Sequence, residues 1–188
     1  MENNISQPTQ AQRLTRGGFL LTRFAMPLVI AGSLLLTSKV AQAQPENGKY
    51  YHIQSVNSQK YLGTGGKTES GEEILQVTFN KDAEGQQWKF VKMGKYYEIT
   101  NKKSGKALNV RSGSTEEHAV IIQWDARPKA QNQQWEVTKN GDSYSLIARH
   151  SGMAMGIAGR SKEPGAEIVQ LKPRKKAKNQ MFNLVPAK

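Results

Sequence analysis

Between residues 44 and 188, apolar positions come in short runs. Examples are "YYHIQ" from Tyr50, "YYEIT" from Tyr96, "VIIQW" from Val120 and "QWEV" from Gln134. Each run holds a few aromatic or β-branched residues, and Gly, Asn, Lys or Ser lie between runs, which is the signature of strands separated by turns. No stretch sustains the 3.6-residue apolar stripe of an amphipathic helix. The pattern predicts about a dozen short strands and an all-β architecture.

The runs repeat. "GQQWKF", "NQQWEV" and "NQMFNL" place Trp88, Trp135 and Phe182 at intervals of 47 residues. Ile74, Ile121 and Ile168 obey the same interval, as do Gln76, Gln123 and Gln170. "GKYYHIQ", "GKYYEIT" and "GDSYSLI" open the units, followed by "SQKYLGT", "SGKALNV" and "SGMAMGI". Four segments in the same order three times define three repeats, about 48–93, 94–140 and 141–188. Each repeat reads as four strands, in the second "YYEITNK", "ALNVR", "VIIQWD" and "QWEVTK". A six-stranded barrel capped by three hairpins accommodates twelve such strands with pseudo-threefold symmetry and few open edges.

This arrangement gives the Gln–x–aromatic motif a packing role. One ring per repeat, Trp88, Trp135 and Phe182, can point to a shared axis and fill a core that no single repeat could bury. Each ring buries on the order of 150–250 Å². The preceding Gln86, Gln133 and Gln180 carry amides able to satisfy loop backbone groups that closure removes from water.

Three repeats of this length, ending in Gln86-Gln87-Trp88, Gln133-Gln134-Trp135 and the degenerate Gln180-Met181-Phe182, resemble the ricin B-type β-trefoil lectin family. The likeness covers residues 48–188 and implies a β-trefoil. It also implies up to one shallow sugar pocket per repeat. Such a pocket has an acidic residue on the second strand, an aromatic on the third and an asparagine just before the fourth. The second repeat offers Asn109, Trp124 and Asn132 at these places, with Gln133 behind. An amide thus stands where the family places a carboxylate, without its charge-assisted hydrogen bond. The first repeat offers Gly63, Val77 and Gly85, and the third Gly156, Leu171 and Asn179. Side chains alternate along a strand, so if Ile121 faces the core, Trp124 faces out together with Ile122. Two readings of Trp124 stay open: an exposed stacking platform, or a ring half-covered by a neighbouring hairpin.

Before residue 44 the pattern changes. A polar segment with Arg13, Arg16 and Arg23 precedes "AMPLVIAGSLLLT", and "AQA" follows at 41–43. This is the layout of a secretory signal peptide over residues 1–43, and the apolar run is short for a bilayer span. Cleavage after Ala43 would start the mature chain at Gln44, and the alternative is an uncleaved signal anchor. The chain carries 27 basic and 15 acidic residues and no cysteine. The leader accounts for four basic residues and one acidic residue, so 23 and 14 remain, a formal +9. Such a surface favours anionic partners. Absence of cysteine excludes disulfides, a thiolate metal site, a cysteine nucleophile and a lipidated cysteine.

"KPRKKAK" concentrates charge at Lys172, Arg174, Lys175, Lys176 and Lys178, in the loop before the last strand. It is either a solvated loop or a grip for sulfate, phosphate or uronate. No catalytic set stands out. His52, His118 and His150 are spread over different repeats, Glu72 and Glu73 would face opposite ways on a strand, and "GTGG" lacks the lysine and helix of a phosphate loop. His118 occupies a turn position that is Gly71 or Gly165 in the other repeats. The expectation is a secreted or periplasmic monomer that binds carbohydrate or glycoconjugate without catalysis. Metal, cofactor, nucleic acid and, after cleavage, a membrane span are not expected. The alternatives are a protein-binding β-trefoil such as a protease inhibitor or toxin accessory, and a basic adhesin for anionic surfaces.

Overall fold

A computed structural model describes residues 44–188. The expected leader over residues 1–43 lies outside the described residues. The twelve strands are β1 (Lys49–Ser55), β2 (Tyr61–Gly63), β3 (Leu75–Val77), β4 (Trp88–Met93), β5 (Tyr96–Asn101), β6 (Ala107–Val110), β7 (Ile121–Trp124), β8 (Gln134–Asn140), β9 (Ser143–Ala148), β10 (Ala154–Ile157), β11 (Ile168–Leu171) and β12 (Phe182–Pro186). The described helical segments are single 3-10 turns of three residues.

Antiparallel pairing closes a ring of six strands. β1 pairs with β4, β4 with β5, β5 with β8, β8 with β9, β9 with β12, and β12 returns to β1. The remaining strands form the hairpins β2–β3, β6–β7 and β10–β11. Each hairpin joins its barrel strand through one equivalent register pair: Gln54 with Tyr61, Thr100 with Ala107, and Ile147 with Ala154. This is the β-trefoil, with no free edge around the barrel.

The repeated aromatics occupy equivalent places. Trp88 pairs across strands with Tyr51, Trp135 with Tyr97 and Phe182 with Tyr144. All three motif rings are fully buried in one core cluster with those tyrosines and with Ile74, Ile121 and Ile168. The indole N–H groups of Trp88 and Trp135 donate to the carbonyls of Leu62 and Leu108, both at 3.1 Å. Phe182 keeps the apolar bulk but has no such donor.

The motif glutamines do what closure demands. Gln86 Nε2 donates to Thr78 O and its Oε1 accepts from Asn80 N. Gln133 does the same with Asp125 O and Arg127 N, and Gln180 with Lys172 O and Arg174 N. Each amide staples the loop before the fourth strand of its repeat and satisfies backbone groups that would otherwise be orphaned.

A second set of glutamines ties the repeats together in a cycle. Gln76 of repeat one donates to Glu163 O of repeat three at 2.7 Å. Gln123 of repeat two donates to Lys67 O of repeat one at 3.2 Å, and Gln170 of repeat three to Ser114 O and Glu116 O of repeat two. All three amides also accept from an equivalent serine hydroxyl, Ser58, Ser104 or Ser151. The turn that receives each hairpin needs a left-handed residue. Gly71 and Gly165 have φ of 95° and 87°, and His118 adopts φ 72° at the same place.

The chain is anchored before Gly48. Pro45 is buried, and its carbonyl accepts from the Tyr97 hydroxyl at 3.1 Å, while Glu46 N donates to the Tyr51 hydroxyl at 2.9 Å. Gln44 Nε2 donates to Val137 O at 3.0 Å. Residues 44–47 therefore dock against the tyrosine end of the barrel.

Candidate functional site

The β6–β7 hairpin is covered on both sides. Its register pairs Asn109 with Ile122 and Ala107 with Trp124, so these four share one face. Leu108, Val110, Ile121 and Gln123 share the other and are fully buried towards the threefold axis. On the outer face Ala107, Asn109 and Ile122 are also buried, and Trp124 is half-buried. The expectation that Ile122 faces out is corrected in part. It does lie on the face of Trp124, but it is only 2 % exposed and forms the floor of a hollow rather than open surface.

That hollow has a volume of about 540 Å³ and brings together Asn109, Trp124, Asn132 and Gln133. Asn132 reaches in from the β7–β8 loop. Its Nδ2 donates to Asn109 Oδ1 at 2.8 Å and to Val110 O at 3.0 Å. Both amide hydrogens of Asn132 are thereby used. Asn109 Nδ2 donates to Val110 O at 2.9 Å. Gln133 is 1 % exposed and its amide staples the loop, so it sets the wall behind the hollow.

The opposite wall comes from repeat one. A β-carbon on Gly71 would stand 3.5 Å from Trp124 Cζ3, so Gly71 lets that turn lie close against the indole. One edge of Trp124 is thus covered by the neighbouring repeat, and the ring still lines the hollow. Two arginines complete the rim. Arg111 Nη2 contacts Glu73 Oε1 at 3.0 Å, both half-exposed. Arg127 is exposed, with its N–H fixed by Gln133 Oε1. Among the described residues no carboxylate lines the hollow. Sequence reasoning did not place Arg111 or Gly71 at the site: Arg111 directly follows β6 of repeat two, and Gly71 arrives from the β2–β3 turn of repeat one. Beside the hollow, Asp125 is bound by Lys106 Nζ at 2.6 Å, and this hydrogen-bonded ion pair holds its carboxyl below the usual range.

The equivalent hollows of repeats one and three are differently built. At Gly63 a β-carbon would meet Val77 Cγ2 at 2.8 Å, and at Gly156 it would meet Leu171 Cδ1 at 2.7 Å. The aliphatic side chain at the Trp124 position leans into the space that Asn109 occupies in repeat two. Asn179 of repeat three keeps the donation of its Nδ2 to a backbone carbonyl, Ile157 O at 3.3 Å. Of the basic loop, Lys172 turns towards Glu117, with Nζ 3.7 Å from its carboxylate. Arg174, Lys175, Lys176 and Lys178 are exposed. Among the described residues no group of three or more His, Asp or Glu side chains is placed to hold a metal ion. No described helix is long and apolar enough to cross a membrane.

The chain matches the ricin-type beta-trefoil lectin domain-like family over residues 39–124 and 126–188. It belongs to that family. No curated protein matches it in sequence. Among solved structures, this ricin-type β-trefoil is 34 % identical to ThreeFoil, a designed threefold-symmetric protein, with a TM-score of 0.70 over 72 % of this chain and 97 % of that one. It is 33 % identical to part of an exo-beta-1,3-galactanase from Clostridium thermocellum, with a TM-score of 0.70 over 77 % of this chain but only 31 % of the galactanase. The ricin B-like lectin of Macrolepiota procera, solved with lactose, shares the fold at 14 % identity, with a TM-score of 0.66 over 77 % of this chain and 99 % of that one. Family and fold together support a lectin-like, carbohydrate-binding role.

Proposed function

We propose that this chain is a non-catalytic lectin that holds one sugar residue of a glycan in the hollow of repeat two. The observation that carries the reading is the meeting of Trp124 with the Asn109–Asn132 pair in one concave site. An indole wall stacks against the apolar face of a sugar ring. Asn132 spends both amide hydrogens inside the protein, which leaves its Oδ1 as an acceptor for a sugar hydroxyl. Arg111 and Arg127 supply donors at the rim. Gln133 is a positioning residue that holds the loop bearing Asn132 and does not touch the sugar.

Among the described residues, those that line the hollow include no carboxylate, histidine or metal-binding cluster, in keeping with binding without turnover. The galactanase resembles this chain over less than a third of its own length, so its activity does not carry over. In the same reading the protein is exported, starts at Gln44 and works as a monomer outside the cytoplasm. N-terminal sequencing of the exported protein that still finds residues 1–43 would replace export by anchoring.

The deciding experiment is a glycan array on the full chain and on Trp124→Ala, repeated at low and high salt. Stacking on one ring contributes roughly 1–3 kcal/mol, taking base stacking on aromatics as a guide. Trp124→Ala should therefore abolish binding to a neutral glycan while the thermal transition barely moves. Binding that survives the substitution would refute the repeat-two site.

A further inference from the structure

The repeats diverge at the join between each hairpin and its barrel strand. Repeat one carries three rings there, His52, Tyr61 and Phe79. They pack on one another, with centroids 4.5 Å apart for Tyr61 and Phe79 and 5.1 Å apart for His52 and Phe79. His52 Nδ1 donates to Gln86 O at 3.0 Å. Ser145, Ala154 and Pro173 stand at the same three places in repeat three, as the equivalent pairs Gln54 with Tyr61 and Ile147 with Ala154 show. Ser145 Oγ makes the matching bond, to Gln180 O at 3.3 Å. The backbone frame is thus retained while the rings are gone.

What remains is a hollow of about 500 Å³. Ile147 and Ala154 form its apolar floor, and Thr138, Asn140 and Ser145 bring hydroxyl and amide groups to its side. Lys139, Arg174, Lys175 and Lys176 surround it, and among the described residues no acidic side chain lines it. None of these four cations is in an ion pair among the described residues; Lys172 beside them has its Nζ 3.7 Å from Glu117, and Arg174 is the one of the four that also acts on that carboxylate. The loop continues past this hollow. On its far side Arg160 and Lys178 line a second depression of about 450 Å³ that shares Arg174, Lys175 and Lys176 and is again without a carboxylate.

Unpaired cations around a concave site attract an anion. The volume is far larger than one sulfate or carboxylate needs, and an apolar floor with flanking hydroxyls suits a sugar ring. The exposed large apolar residues, Phe79 and Val185, lie outside this hollow, so the patch presents no large apolar side chain for insertion into a lipid surface.

We propose that this hollow at the β9–β10 join is a second saccharide site, separate from the repeat-two hollow and from its counterpart at Gly156 and Asn179, that takes a sugar unit bearing sulfate or carboxylate, with the chain continuing over the basic loop. Pro173, where repeat one has Phe79, keeps the hollow open. The anionic group is met by Lys139, Arg174, Lys175 and Lys176, and the ring lies over Ile147 and Ala154.

The test is titration calorimetry on the full chain with three probes: a sulfated disaccharide, its desulfated counterpart, and an oligogalacturonate for the carboxylate case. The wild type should bind the sulfated sugar, the uronate or both, and the desulfated sugar at least about tenfold more weakly. Replacing Lys175 and Lys176 by Gln should weaken anionic binding about tenfold. Pro173→Phe restores the capping ring of repeat one and leaves the charge intact, and it should weaken binding to a similar extent. Ser145→His, which can keep the bond to Gln180 O, is the second filling variant if the first proves unstable. Trp124→Ala removes the repeat-two site and should still leave the tighter binding of the anionic probes in place. Equal binding of sulfated and desulfated probes would overturn the proposal. So would full binding by both filling variants, which would indicate diffuse ionic adsorption to the loop. Loss of binding in Trp124→Ala would move the ligand to repeat two. Binding to vesicles of anionic phospholipid without binding to either anionic sugar would make the loop a lipid-surface contact instead.

Discussion

Asn132 Nδ2 lies 2.8 Å from Asn109 Oδ1, and this bond joins the β7–β8 loop to the middle of β6. It turns two amides from distant parts of repeat two into one unit, with the acceptor of Asn132 directed by what its donors hold. Removing Asn132 leaves the Asn109 oxygen buried without that partner, which costs about 1–3 kcal/mol. In a double-mutant cycle on glycan binding, Asn109→Ala and Asn132→Ala should be non-additive by about 0.5–3 kcal/mol. Additive losses would mean that the two amides act separately.

The core motif makes a graded prediction. Trp135→Phe copies the third repeat but orphans the Leu108 carbonyl, and should destabilise by about 2–3 kcal/mol, the lost bond plus some lost packing. Trp135→Ala should lower stability further, by about 3–5 kcal/mol. Urea midpoints of the two variants check the order.

The cyclic glutamines predict coupling between repeats. Gln170 is fully buried and makes three hydrogen bonds, two of them to the backbone of residues 114–116. Gln170→Ala strands those carbonyls and should cost about 2–4 kcal/mol. Hydrogen exchange should rise in the 114–118 turn of repeat two, although the substitution sits in repeat three. Faster exchange confined to repeat three would contradict the cyclic tie.

His52 predicts a pH dependence. Burial pushes its pKa below the ordinary 6.5, opposed by its hydrogen bond to Gln86 O. The folded state therefore resists protonation, while the unfolded chain takes up its proton near pH 6.5. The contribution of neutral His52 is complete above that pH and is lost as pH falls below it, until the folded ring also protonates. Melting curves from pH 7.5 to 5 should show a smaller acid loss in His52→Gln than in the wild type, about the same background of other groups. An equal loss in both would remove His52 as the cause.

Repeat one and repeat three should resist a transplanted pocket. Gly156→Asn drives a side chain against Leu171 Cδ1 and the Asn179 carbonyl, and overpacking of this kind costs about 1–3 kcal/mol. Leu171→Ala in the same chain should recover part of that loss by thermal melting, because it vacates the space.

The sequence alone determined the architecture, since the threefold spacing of Trp88, Trp135 and Phe182 has a single physical use: three repeats burying one core that none can bury alone. It also showed which glutamines serve the loops, because a buried amide beside a core ring must be hydrogen-bonded. Asn109, Trp124 and Asn132 were legible as a set only through resemblance. Their convergence depends on a loop fold that no period encodes. Only the tertiary structure decided that Ile122 is floor rather than surface, because its cover comes from another repeat. It alone brought Gly71 and Arg111 to the rim of the hollow. It also separated Lys172, 3.7 Å from the Glu117 carboxylate, from Lys175, Lys176 and Lys178, which are in no ion pair among the described residues. The reason is the same in each case. Strand periodicity is local and survives in a string of letters, whereas the far wall of the pocket comes from Gly71, about 40 to 60 positions from the residues it faces, and that meeting is a consequence of closing the barrel.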